Sequence, residues 1–508
     1  METDGKLSSR TACLACRRQK RKCSRQLPSC ELCQRNRRLC EYSDDSLWVS
    51  SDAEALSSAS TLAQSTQAQP SASLLFFLDS DEFTSRRSIV EPNVAAPPPE
   101  LLKFAQHEGG RFLQYVEHYF QSTHTMLPIV SKRRFRQRMT ETNPSSDTLT
   151  LAFCMHMVSQ QTINVDMYDK AKGFLSMLER GGTISIQLLQ ATILAALYEI
   201  SHAIYPAAFL TVGHCARLGQ AIGLHDRRNS LQMWPVVQSW TELEELRRTW
   251  WAVIVLDRFV GLGIQNRPFA CEDAKPEDML PMDDQFWDQG EQKAIPSLAV
   301  SAETTLPASS FARTCQAAHL LSRVLAHTNS NASIADRSTY YGEGHQLHKV
   351  LTAFHGVVSH EFAAAQNAPE LAPRLSALGI CSSAMITLYS THSCAELDDT
   401  RGVGIPEQLQ LQQISLDGLH QVGSATCEFA SRLASLLETN AAGAKIGIFA
   451  TEAIYQVAKL YIWYTRETGK VEEYSPRIAL LLKTLRLLGQ KLQVASKIVS
   501  IYMLFISN

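Results

Sequence analysis

Between Cys13 and Cys40 the chain reads CLACRRQKRKCSRQLPSCELCQRNRRLC, which holds six of its thirteen cysteines. Their spacing is C-x2-C-x6-C-x6-C-x2-C-x6-C, an internal repeat of Cys13, Cys16 and Cys23 followed by Cys30, Cys33 and Cys40. A unit this short cannot bury enough apolar surface to fold alone, so covalent links or metal must hold it. Disulfides, a redox device and a metal trap are the three chemistries available.

The surrounding sequence weighs against the first two. The N-terminus, METDGKLSSR, is polar and lacks the apolar core of a secretory signal. No run reaches the roughly 18 apolar residues of a membrane span, and WWAVIVL and the terminal IYMLFI are far shorter. The expectation is a soluble, intracellular protein with no membrane partner. Disulfides are unusual there, and clustered cysteines point to metal.

Counting ligands then narrows the choice. Zinc takes four ligands in a tetrahedron. Each half of the repeat supplies three thiolates, and the first histidine is His107. Two separate sites need eight ligands, and one site leaves two cysteines idle. Two zinc ions sharing two thiolates fill all eight positions with Cys13, Cys16, Cys23, Cys30, Cys33 and Cys40. The repeat suggests one shared thiolate from each half. Structural zinc supplies folding energy on the order of 10 kcal/mol. With every position filled by thiolate, no open site is left for catalysis.

Charge is distributed unevenly. The chain's formal net charge is −2, yet Arg10 to Cys40 carries ten Lys/Arg against one acid, Glu31. A basic head on a mildly acidic body fits a polyanion-binding module. Between Cys16 and Cys23 lies RRQKRK: Arg17, Arg18, Gln19, Lys20, Arg21 and Lys22. As a helix these six residues span about 9 Å, a length that enters the DNA major groove. There Arg and Lys can bond guanine O6 and N7, and the remaining charges can meet phosphates. Arg35, Arg37 and Arg38 add backbone-contact or solvent-facing charge, and the whole run could also serve nuclear import.

These residues resemble the zinc binuclear cluster (Zn2Cys6) of fungal transcription factors, over the whole of 13–40. The resemblance implies that Cys13 and Cys30 are the bridging thiolates. It also implies that the first helix reads a CGG-like triplet, with Lys20 as the base-reading lysine, Arg17 on a phosphate and Pro28 turning the chain between halves. The position before Lys20, often basic in the family, is Gln19, whose amide pairs better with adenine than with guanine.

The rest of the chain reads as mainly α. Residues 1–12 are read as a disordered N-terminus and 41–99 as a low-complexity, disordered linker, in which no coiled-coil heptad is sustained. Within the linker SLLFFL (Ser73–Leu78) stands out, and folding back on the body is favoured over docking. Residues 100–508 are expected to form a large all-helical regulatory domain. RFLQYVEHYF, AAFLTVGHCARLGQAIGL, FARTCQAAHLLSRVLAH and PRIALLLKTLRLLGQKLQ (Pro476–Gln493) have helical periodicity. RRTWWAVIVLDR is apolar nearly all round and reads as a buried helix capped by charges. SIYMLFISN reads as a last core helix or an altered gene end. The acidic loop Cys271–Gln292 mixes acid with Leu, Met, Phe and Trp; a solvated loop is favoured over an activation segment.

The body resembles the same family's middle homology domain, best over 110–330. ARLGQAIGLHDR resembles its A-x-R-x-A-x-x-L-G-L-H segment. RRTWWAVIVLDR with NRPFACED resembles its RR-x-x-WW…D-R and G-R-P…D-E-D pair, with Asn266 in place of Gly, and LP-x-DD…W is met at Leu280–Trp287.

No catalytic set stands out. Cys154, Cys215, Cys271, Cys315, Cys381, Cys394 and Cys427 are isolated and expected in the core. His214 and His225 flank one predicted helix and are expected to pack, and GLGIQN is no dinucleotide loop. The expectation is a nuclear, sequence-specific DNA-binding transcription factor, not an enzyme, acting on double-stranded DNA with transcription machinery or co-regulators, in control of a metabolic or secondary-metabolite gene cluster. Two alternatives stand beside it: a co-regulator whose zinc module docks protein, and a regulator gated by a small molecule in the helical body. Binding as a monomer and homodimerisation through the body both stay open.

Overall fold

The computed structural model describes residues 12–13, 15–16, 21–26, 29–36, 40, 76–79, 81–83, 96–107, 109–141, 143–160, 162–226, 237, 239–264, 266–290, 297–330, 337–394, 406–439, 448–490 and 492–507. The expectations for 1–11, for most of the 41–99 linker, and for Arg17, Arg18, Gln19, Lys20, Pro28, Arg37 and Arg38 lie outside the described residues. The chain divides into two compact units, 1–69 and 70–508. The first contains the short helix α1 (Glu31–Arg35).

The second unit is built of helices; among its described residues β pairing is confined to an isolated bridge between Met279 and Ala299. Two helices, α2 (Ser146–Ser159) and α3 (Ile186–Ser201), are buried along their whole length. A helix apolar on every side must be surrounded by others. Accordingly α3 packs against α2, α4 (Ala207–Ile222) and α5 (Trp240–Val260). Ser185 caps α3 by accepting the Leu188 N–H. Gly223, at φ +86°, ends α4 in the left-handed conformation that glycine adopts without penalty.

The C-terminal helices are α6 (Ser310–Asn329), α7 (Arg337–Ala364), α8 (Ala368–His392), α9 (Pro406–Glu438), α10 (Ile448–Thr468), α11 (Val471–Gly489) and α12 (Gln493–Ser507). Helix α8 is their hub, packed against α6, α7, α9 and α10. Its stretch Pro369–His392 is long and apolar enough to cross a membrane by length and composition, which corrects the expectation that no such stretch exists. Serines and threonines interrupt its apolar run, and Thr387 and Thr391 return their hydroxyls to the carbonyls of Ser383 and Thr387. Of its most apolar window, 83% is buried inside the unit, as a hub helix requires.

The charges of RRTWWAVIVLDR are not caps. Arg248, Asp257 and Arg258 are buried in α5, where they clamp the following loop. Arg248 donates to Glu244 Oε1 (2.9 Å), Asp284 Oδ1 (2.7 Å) and the Met282 carbonyl (2.7 Å), and lies 4.2 Å from the Trp287 ring centroid. Trp251 Nε1 donates to the Met279 carbonyl at 2.9 Å. Arg258 pairs with Asp257, donates to the carbonyls of Cys271 and Glu272 at 3.1 Å, and stacks on Phe269. The acidic loop is therefore pinned rather than free, with Cys271, Leu280 and Trp287 buried. Asn266 stands at φ +59°, which explains a glycine at that position in the resembling motif: only Gly, and Asn at some cost, adopt this backbone readily.

Other expectations shift locally. Pro476–Gln493 is not one helix, because α11 starts at Val471 and stops at Gly489 before α12 begins. His214 lies within α4 and meets Glu179 at 2.9 Å near the surface, and His225 is exposed, so neither packs in the core. Cys154, Cys215, Cys271, Cys315 and Cys381 are buried, Cys427 is half-buried and Cys394 is exposed. Of SLLFFL, Ser73, Leu74 and Leu75 lie outside the described residues; Phe77 and Leu78 are 63% and 78% exposed, while Phe76 packs beside the buried Phe83.

Candidate metal centre and nucleic-acid interface

The six cysteines of 13–40 converge, with Cys13, Cys16, Cys30 and Cys33 buried and Cys23 and Cys40 half-buried. Their sulfurs form two groups of four, Cys13–Cys16–Cys23–Cys30 and Cys13–Cys30–Cys33–Cys40, each with all sulfurs within 4.8 Å of one another. The groups share Cys13 and Cys30, one thiol from each half of the repeat. Cys13 Sγ lies 3.7 Å from the Sγ of both Cys30 and Cys33, and Cys16 Sγ lies 3.7 Å from Cys30 Sγ. A tetrahedron with Zn–S of about 2.3 Å has an S···S edge of about 3.8 Å. The donor set therefore fits two zinc ions in edge-sharing tetrahedra, with Cys13 and Cys30 as the common edge.

Local backbone repeats the sulfur symmetry. The N–H of Cys13 donates to Cys23 Sγ at 3.5 Å, and in the second half the N–H of Cys30 donates to Cys40 Sγ at 3.2 Å. Cys30 also caps α1, its Sγ accepting the Cys33 N–H at 3.4 Å. Ser24 Oγ accepts the Glu31 N–H at 2.9 Å and ties the first half to the second. These donors are missing from the sequence reading, because backbone N–H groups leave no residue-type signal.

The acid–base balance of the thiols calls for cations. Burial pushes the Cys13 and Cys16 thiols up, and burial with the Cys30 hydrogen bond pushes Cys33 up to about 12. At Cys23 burial acts upward too, but N–H groups of Cys13 and Arg25 and the neighbouring thiols offset it, leaving about 7. Cys40 likewise falls to about 7, burial being offset by the Cys30 N–H and neighbouring thiols. Six sulfurs this close cannot all be thiolates without divalent cations among them. Two Zn²⁺ leave the cluster at a formal −2, which basic neighbours stabilise.

Of the residues read as DNA contacts, Arg21 and Lys22 are exposed, as are Arg25 and Arg35. The Arg21 N–H returns to the Cys16 carbonyl at 3.0 Å. Arg17, Arg18, Gln19 and Lys20 are outside the described residues.

Comparison with known proteins agrees with this donor set. Residues 11–48 match the fungal Zn(2)-Cys(6) binuclear cluster domain, which binds two zinc ions through six cysteines, and residues 116–359 match the fungal specific transcription factor domain. The chain is similar to the transcription factor BOA15 of Botryotinia fuckeliana, 36% identical over 181 residues, covering 34% of this chain and 98% of that protein. It is similar to the transcription factor tazR of Aspergillus terreus, 33% identical over 28% of this chain and 24% of that one. It is similar as well to the pigment biosynthesis transcriptional activator pigB of Monascus ruber, 28% identical over 49% of this chain and 51% of that one. The latter two matches thus span about a quarter and about half of those relatives.

Proposed function

The chain belongs to the fungal Zn(2)-Cys(6) transcription factors, and from that premise we propose that it is a nuclear, sequence-specific regulator of RNA polymerase II transcription. It is not an enzyme. The observation that carries the reading is the pair of four-sulfur groups with a shared edge, set in a module of exposed Arg and Lys. Zinc fixes a rigid scaffold, and the basic residues meet duplex DNA. In this reading Lys20 bonds guanine in a CGG-like triplet, Gln19 adjusts the neighbouring base, and Arg17, Arg18, Arg21 and Lys22 hold phosphates. The regulated genes are those of a secondary-metabolite cluster; the support is the pigment-biosynthesis role in the name of the Monascus ruber relative.

The test is fluorescence anisotropy of the zinc-loaded chain on CGG-containing duplexes. Lys20→Ala should weaken binding by about 1–3 kcal/mol and relax specificity at one base. Unchanged binding removes Lys20 from base reading. Each phosphate contact should add about −0.9 to the slope of log affinity against log salt. A salt-independent interaction would instead favour the zinc module as a protein-docking element.

A further inference from the structure

Where α3, α5, α10 and α12 meet, the second unit forms a partly open cavity of about 190 Å³. Its walls are mostly apolar, with Ile200, Phe259, Ile448, Val494 and Ile498 among them. Tyr205 and Ile264 stand at its edge, 53% and 36% exposed. Lys497 Nζ donates to the carbonyls of His202 and Ala203, both at 3.2 Å, and so pins α12 against the turn that leads to Tyr205.

One carboxyl, Glu452 on α10, lines these apolar walls. Gln456 Nε2 donates to its Oε1 at 2.9 Å. Among the described residues its side-chain hydrogen-bond partner is Gln456, Lys459 further along α10 acts on it electrostatically, and it keeps some accessible surface. Burial pushes this carboxyl above the usual range, and it in turn adds to the burial that raises the Tyr205 hydroxyl.

We propose that this cavity is a binding site for a small apolar molecule carrying one amine, with Glu452 as its counter-ion. Size sets the first limit: an apolar cavity of about 150 Å³ accepts benzene, so this one holds a single ring or short branched chain with a one- or two-atom arm. Charge sets the second. A carboxylate set among apolar side chains is held at a cost, which raises its affinity for a proton and for a cation alike. An ammonium brings the missing charge and pairs with the carboxylate in a poorly screened setting. A neutral hydrocarbon fills the walls but leaves the carboxylate without a counter-ion, and an anion is repelled by it. Helices α3 and α5 fall in the stretch matched by the fungal transcription factor domain, whereas α10 and α12 lie beyond it. A bound molecule therefore ties the two helical sets together and stabilises their packing by mass action. All of its residues lie in the second unit, so the proposal stands apart from the reading of DNA.

Isothermal titration calorimetry of the zinc-loaded full chain tests it with three probes: benzylamine, toluene and benzoate. Benzylamine should bind at least about tenfold tighter than toluene, and benzoate should give no heat. Lowering the pH through the raised range of Glu452 should weaken benzylamine about tenfold per unit and leave toluene unchanged. Glu452→Gln should reduce benzylamine to the toluene level, with retained toluene binding showing that the cavity survives the change. No binding by any probe, equal binding of benzylamine and toluene to the unaltered chain, or undiminished benzylamine binding in the Gln variant would overturn the proposal.

Discussion

Replacing Arg248 by Met should release the loop that runs from Met279 to Gly290. In the native clamp the Arg248 and Glu244 side chains are both 0% exposed, and the guanidinium serves Glu244, Asp284 and the Met282 carbonyl together. Methionine keeps much of the side-chain length and removes every donor. Breaking a buried pair from one side costs about 3–5 kcal/mol, because the remaining charge is stranded. The low end applies here, since Glu244 keeps Arg247 Nη1 at 2.6 Å and the Met282 N–H at 2.8 Å. Lost stacking on Trp287 adds to the cost, although the two terms share atoms and are not additive. The assay is hydrogen exchange at Leu280, whose N–H donates to the Leu298 carbonyl at 2.7 Å, and at Trp287, whose N–H donates to Asp283 at 3.2 Å. A loss of about 3 kcal/mol speeds exchange at these amides about a hundredfold, at 1.4 kcal/mol per decade, while amides of α3 change far less. Arg248→Lys should fall in between, because a single ammonium cannot reach all three acceptors. Unchanged exchange at both amides, or a Lys variant indistinguishable from Arg, would refute the clamp.

Three further outcomes follow from the helical unit. Burial holds His355 at about 4, and burial with the charges of His327 and His345 holds His392 there as well. His327 and Tyr341 also face His392, and Glu343 meets His327 on its other side. Both folded values lie below the unfolded 6.5, so the unfolded chain binds more protons and stability falls as pH drops from about 6.5 to about 4. Urea midpoints across that range should show it, and His355→Gln should remove one proton from the slope; an unaltered slope contradicts this. Gly379→Ala places a Cβ 2.6 Å from Ala450 Cα and 2.7 Å from the Phe449 carbonyl, at a crossing of backbones. It should cost about 1–3 kcal/mol or more in thermal unfolding, because neither atom is the end of a flexible side chain. Asn266→Gly should be neutral or stabilising and Asn266→Ala should cost about 1 kcal/mol in the same assay, since its φ is +59°.

The cluster was legible because ligand counting needs only spacing: six thiols, no nearby histidine and four-coordinate zinc leave one economical solution. Which two sulfurs are shared came from resemblance, and the sulfur groups now place Cys13 and Cys30 on both sides of the count. The buried stretch Ala252–Leu256 of α5 was legible through its composition, whereas α2 and α3, buried along their whole length, were not singled out. Buried charge was not. In RRTWWAVIVLDR the arginines looked like solvent-facing caps, because sequence carries no sign of the carbonyls and carboxylates that a distant loop brings to them. The same blindness misplaced the acidic loop, whose Trp287 is buried beneath Arg248. Helix α8 escaped because serines and threonines interrupt its apolar run, Thr387 and Thr391 bonding back to carbonyls within the helix. The cavity beside Glu452 had no sequence signal, since its walls come from four helices far apart in the chain.

The account rests on two metal ions sharing Cys13 and Cys30. The most direct measurement replaces zinc with ¹¹³Cd in the full chain and records correlations between each cysteine's β-protons and the metals. The shared edge predicts two cadmium resonances, with Cys13 and Cys30 each coupled to both and Cys16, Cys23, Cys33 and Cys40 each coupled to one. A single cadmium resonance, or six cysteines each coupled to one metal alone, would contradict it.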